Sequence, residues 1–182
     1  MRELIARPGP DEYLPYYGTY VNAVPDGDVL EALSLQGHET FELLSTIPEQ
    51  QATYRYAPGK WSIKDVVQHI ADAERVFAYR LLRFARGDAS PLASFDENAY
   101  AAAAEADRRH LGELAAELRD VRRATVRLVS GLDESTIGRR GIASNAEVSV
   151  RALVWIIAGH ELHHLRVLRE RYLPALDLTE VA

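Results

Sequence analysis

Cysteine is absent from the 182 residues, which rules out disulfides, thiolate metal ligands and a cysteine nucleophile. Any metal this chain takes must therefore be held by nitrogen and oxygen. Lysine is scarce: Lys60 and Lys64 are the whole set, and the other basic residues are arginines. No basic block stands out, and the formal net charge is −6. A nucleic-acid binder needs an excess of Lys and Arg on one face to displace counterions, so no nucleic-acid partner is expected. Long hydrophobic runs are missing as well. Leu153–Ala158 is apolar but far shorter than the roughly 20 residues a helix needs to cross a bilayer. Met1-Arg2-Glu3-Leu4 leads to Pro8, Gly9 and Pro10 rather than to the apolar core of a signal peptide. The expectation is a cytoplasmic protein with no membrane partner.

What is present has the balance of a globular protein, 47% hydrophobic and 26% charged, and the length fits one domain spanning residues 1–182. Residues up to about Pro25 read as an irregular arm, because Pro8, Pro10, Pro15 and Pro25 forbid a long helix. Tyr13, Tyr16, Tyr17 and Tyr20 suggest that this arm packs on the body. Four helical segments follow. The first runs from a cap at Asp28 to Ile47, where Pro48 stops it. The second starts at an S-x-x-D capping pattern, Ser62 and Asp65, and ends at Gly87. A loop over 88–100 with a short turn near Ala101–Ala104 leads to a third helix from Arg108 to Ser130. A turn-rich connection over 132–148 precedes the fourth, capped at Ser149 or Ser144 and running to Tyr172. No strand is evident, and four amphipathic helices in one domain predict an all-α four-helix bundle with an irregular N-terminal arm.

Chemistry concentrates at His160-Glu161-Leu162-His163-His164. On a helical wheel, Leu153, Ile156, Ile157, His164 and Val167 fall within roughly 60° of His160, which puts two imidazoles one turn apart on the core stripe. His69 occupies an apolar face of the second helix. A lone core histidine is usually a satisfied packing residue. An i, i+4 pair joined by a third imidazole is better read as metal ligands. His38 and His110 lack such company, and His163 lies at the edge of the stripe.

The motif also spells H-E-x-x-H, with Glu161 in the general-base position of a zinc protease. Such enzymes draw a third ligand from downstream, and none of the 18 residues after His164 is a histidine. Glu161, about 100° from the metal direction on the wheel, is expected to face solvent. Asp65, Asp72 and Glu74 flank His69. Any of them could fix an imidazole tautomer, and the last two read equally well as solvated charges. Arg80, three turns along the His69 face, could meet an anionic substrate, although pairing with a buried acid is the expected role. Three imidazoles leave a divalent ion its full charge and an open position. There it could acidify a water for hydrolysis, or a thiol for attack on an electrophile.

Tyr54-Arg-Tyr-Ala-Pro-Gly-Lys-Trp-Ser-Ile-Lys-Asp-Val-Val-Gln-His69-Ile-Ala-Asp-Ala-Glu-Arg together with Ala158-Gly-His-Glu-Leu-His-His164 resembles the DinB/YfiT-like superfamily of bacterial candidate metalloenzymes. The likeness extends to the aromatic arm and the Phe95-Asp-Glu-Asn loop. It implies a four-helix bundle of unusual handedness, often a homodimer. It also implies a divalent metal, nickel or zinc most often, on the residues matching His69, His160 and His164. Relatives of known chemistry include transferases and isomerases that use bacillithiol or mycothiol. The expected function is a metal-dependent thiol S-transferase or hydrolase acting on a small electrophile. The alternative is a small-ligand-binding or interaction protein with a structural metal.

Overall fold

The computed structural model describes residues 4–178. An arm with two short 3-10 turns leads into α1 (Gly18–Val21), followed by α2 (Val29–Ser45) and α3 (Ile63–Ala85). Then come α4 (Glu97–Ala104), α5 (Leu111–Ser130), α6 (Glu134–Ile137), a hairpin of β1 (Arg140–Ala143) and β2 (Ala146–Ser149), and α7 (Val150–Val167). Helix α2 packs on α5 and α7, and α3 packs on the same two, so the order around the bundle is α2–α5–α3–α7. Among the described residues no helix is long and apolar enough to cross a membrane.

The long helices begin where their side chains can satisfy the first backbone N–H groups. Ser62 Oγ accepts from Asp65 N at 3.0 Å and Asp65 Oδ2 accepts from Ser62 N at 2.9 Å, a reciprocal box that fixes the start of α3. Asp28 caps α2 and Ser149 caps α7, which decides between the two serines that the sequence left open. Helix α5 is capped from a distance: Glu49 Oε2 accepts from Leu111 N at 2.9 Å, while Glu49 Oε1 lies 2.6 Å from the buried Lys64 ammonium. Past Val167 the chain widens into a π turn over Leu168–Tyr172, so the fourth helix does not stay α-helical to Tyr172.

Two further features depart from the sequence reading. The connection read as strandless holds the β1–β2 hairpin, paired Arg140↔Ser149 through Ala143↔Ala146. Strands of four residues are too short to show alternation. The turn residues Ser144 and Asn145, at φ 54° and 62°, are not the Asn-Gly pair that signals such a turn. The arm is also less irregular than expected, because it ends in α1.

That arm determines what α7 sees. A Cβ on Gly159 would lie 1.9 Å from the Tyr20 carbonyl oxygen, so only glycine lets α1 lie directly on α7. Glu12, buried in the arm, accepts from Ser149 Oγ at 2.7 Å and from Arg151 at 2.6 Å, tying it to the α7 N-terminus. Enclosed by α1, α2 and α3, α7 is buried without a break from Val150 to Glu161 except at Arg151.

Candidate metal centre

The three predicted histidines meet. His69 comes from the middle of α3, His160 and His164 from successive turns of α7. The His160 Nε2 atom lies 3.1 Å from His69 Nε2 and 3.2 Å from His164 Nε2, and the three candidate ligand atoms all fall within 4.8 Å of one another. His69 and His160 are buried and His164 is half-buried.

Burial lowers the pKa of each ring. His69 is brought down to about 4, against partial opposition from Glu97 and Asp72. His164 comes down to about 3 through burial and then through His69 and His163. His160, enclosed and facing the other two rings, falls well below the ordinary range. At neutral pH all three are uncharged imidazoles with lone pairs to offer. They cannot satisfy one another, because His160 Nε2 faces two nitrogens and carries at most one proton to donate. A cation at their convergence resolves that, so the donor set fits a divalent ion. Among the described residues no fourth His, Asp or Glu joins the group.

Aromatic rings surround the imidazoles. Trp61 stands over His69 at 4.6 Å between centroids, Tyr20 meets His160 edge-on at 5.3 Å, and Phe77 meets it at 5.8 Å. His163 is half-buried beside Tyr20, at 5.5 Å. Beyond the histidines opens a cavity of about 310 Å³ whose walls include Tyr17, Phe77, Arg80, Phe95 and Ser144.

Glu161 does not face solvent. It is 1% exposed, its Oε1 accepts from Thr40 Oγ1 at 2.7 Å, and its Oε2 lies 2.7 Å from Arg122 Nη1. The wheel gave its angle correctly, but that side of α7 faces α2 and α5. Glu74 is equally buried and takes the Arg122 fork at 2.7 and 2.9 Å, which corrects its reading as a solvated charge. Arg122 also reaches the Leu33 carbonyl at 3.1 Å, and its Cγ would lie 2.8 Å from a Cβ on Gly37. Sequence reasoning passed over Arg122. The available signal was its place on the α5 stripe, four residues after Leu118 and three before Thr125.

None of the acids flanking His69 orients its ring. Asp65 caps α3 and pairs with Arg55 at 3.0 Å, and Asp72 accepts from Gln68 at 2.9 Å. His38 and His110 are exposed, beside Glu42 and Glu49. Arg80 departs from expectation: it is buried, yet among the described residues no carboxylate lies within 4.0 Å of it.

A protein of Oceanobacillus iheyensis named as a candidate metal-dependent hydrolase is 29% identical over 127 residues, covering 68% of this chain and 72% of its own. Among solved structures, YfiT from Bacillus subtilis, described as a probable metal-dependent hydrolase with an unusual four-helix bundle topology, superposes with a TM-score of 0.70. It does so at 16% identity over 93% of both chains. A mycothiol-dependent maleylpyruvate isomerase gives a TM-score of 0.64 at 12% identity, over 80% of this chain and 61% of that one. These two likenesses concern the fold. The family model described as the DinB superfamily matches residues 32–168, a span containing all three histidines and all of the four bundle helices except the first three residues of α2, and the chain belongs to that superfamily.

Proposed function

We propose that this protein is a divalent-metal-dependent enzyme acting on a small electrophilic substrate, with His69, His160 and His164 holding the ion. One observation carries the reading. Three neutral imidazoles converge at the end of a cavity with no fourth protein ligand among the described residues. Closed four-ligand sites are structural, whereas three protein ligands leave a position for chemistry. An all-nitrogen set suits zinc or nickel. Bound there, such an ion supplies a Lewis acid that acidifies a water or a thiol in its remaining position.

The chain's own residues prepare the site. Tyr20, Phe77 and Trp61 exclude bulk water from the imidazoles, which keeps them uncharged and makes electrostatic interactions stronger. Next to His160 in the chain, Glu161 joins Glu74 and Arg122 in a buried cluster with a formal charge of −1. Hydrolysis is supported by the naming of the Oceanobacillus relative. Transfer to a low-molecular-weight thiol is supported by likeness to the mycothiol-dependent fold.

Calorimetric titration of metal-free protein with zinc and with nickel tests the site. One ion per chain is expected, lost in His69→Ala and His164→Ala; unchanged stoichiometry in both variants sinks the assignment. A turnover screen of the metal-loaded protein against ester, epoxide and halide substrates, with and without bacillithiol and mycothiol, separates hydrolase from transferase. No turnover in any arm would leave a ligand-binding protein.

A further inference from the structure

We infer that Arg80 is an anion receptor at the far end of the metal cavity, and that the substrate carries a carboxylate which Arg80 and Tyr17 bind. The inference rests on the reading of the cavity as the substrate site and adds the class of substrate. Arg80 is 3% exposed. Burying a guanidinium is costly unless an anion accompanies it, and the other buried guanidinium of the bundle, Arg122, has two carboxylates. Arg80 has none. Glu97 lines the same cavity from the α4 N-terminus, but it is exposed and lies beyond ion-pair distance.

Neutral groups hold the Arg80 side chain in place. Its Nη2 donates to the Ala93 carbonyl at 2.9 Å and to Ser144 Oγ at 2.9 Å, which uses both protons on that nitrogen. Ser144 offers its hydroxyl from a left-handed backbone conformation at the hairpin tip, φ 54°. Both central residues of such a two-residue hairpin turn take a positive φ, so the conformation follows from the turn itself. The protons on Nε and Nη1 remain for a ligand, and Tyr17 lines the same cavity. Burial raises the Tyr17 pKa, so at neutral pH its hydroxyl keeps a proton to donate to an anion in the cavity.

Geometry connects this subsite to the histidines. The Phe77 ring centroid lies 5.9 Å from the Arg80 guanidinium carbon and 5.8 Å from the His160 ring. Placed end to end, the two steps keep the guanidinium within about 12 Å of His160. A molecule in the cavity can therefore reach the imidazoles at one end and Arg80 at the other, with its apolar middle against Phe77.

Hexanoate and its uncharged amide, hexanamide, are the probes, titrated calorimetrically at neutral pH into zinc-loaded and into metal-free full-length protein. Hexanoate is expected to bind wild type in both forms at least tenfold more tightly than hexanamide. Arg80→Met should lower hexanoate affinity at least tenfold and leave hexanamide unchanged. Arg80→Lys, which keeps the charge but not the planar donors, should fall in between. Equal binding of the two probes by wild type, or unchanged hexanoate affinity in Arg80→Met, overturns the proposal. Should Arg80→Met fail to melt cooperatively, Arg80→Lys decides, and an unchanged hexanoate affinity there overturns it. Hexanoate binding that needs zinc and ignores Arg80 places the carboxylate on the ion, which sinks this subsite and leaves the metal centre standing. Hexanoate binding to wild type that takes up no zinc has the opposite meaning.

Discussion

Arg122 Nη1 lies 2.7 Å from Glu161 Oε2, and Glu161 follows His160 directly in the chain. The residue that a protease motif would make a catalytic base is thus an ion-pair partner for the α5 helix, about 100° round α7 from the direction of the histidines. Removing Arg122 strands two buried carboxylates, whereas removing the Glu161 charge leaves Glu74 to neutralise Arg122. Arg122→Met is therefore expected to cost about 3–5 kcal/mol, and Glu161→Gln distinctly less. Urea unfolding of both variants checks the ranking. A Glu161→Gln protein that folds normally, binds one metal and loses all turnover would return Glu161 to a catalytic role.

Acidification should destabilise the metal-free protein. The folded-state pKa values of His69, about 4, and His164, about 3, lie below the unfolded value near 6.5. Between those limits the unfolded chain binds more protons, so stability rises with pH through this window and is complete above it. The His69 shift alone corresponds to about 3 kcal/mol lost on going from neutral pH to below 4. Denaturation in chelator across that range should show the slope, and His69→Leu should flatten it. A pH-independent midpoint in wild type would contradict the burial of these rings.

Gly159→Ala places a methyl group against the Tyr20 backbone and should push α1 off α7. Such overpacking costs about 1–3 kcal/mol. It should also open the wall beside His160. A lower melting temperature together with faster proteolytic nicking of the arm is the expected result, and a full-strength arm in the variant would refute the contact.

Ser62→Ala removes the hydroxyl that accepts from Asp65 N and donates to Asp107. A loss of about 1–2 kcal/mol is expected, seen as a lower urea midpoint with an unchanged slope. An unchanged midpoint would mean that the α3 start is set by packing alone.

How far the sequence reached depended on how local each feature was. Ser62 with Asp65, Pro48 after α2 and the i, i+4 histidines act over one turn of chain, and the helices and the His160–His164 stripe were legible from them. His69 could be placed on an inward face by the same periodicity. The hairpin was not legible, because four-residue strands and a Ser-Asn turn carry too little pattern.

The sequence by itself determined a helical bundle, the absence of cysteine and the three histidines as one candidate set, since backbone periodicity and side-chain chemistry are written locally. Only the tertiary structure decided the surroundings of those residues. A helical wheel gives an angle but not the neighbour found there. The α5 helix behind Glu161 buried a side of α7 that periodicity assigned to water. The β hairpin and the loop before α4 gave Arg80 neutral partners in place of an acid. Contacts such as Thr40 with Glu161, 121 residues apart, arise from packing between elements, and packing between distant elements is not encoded in any one stretch of chain.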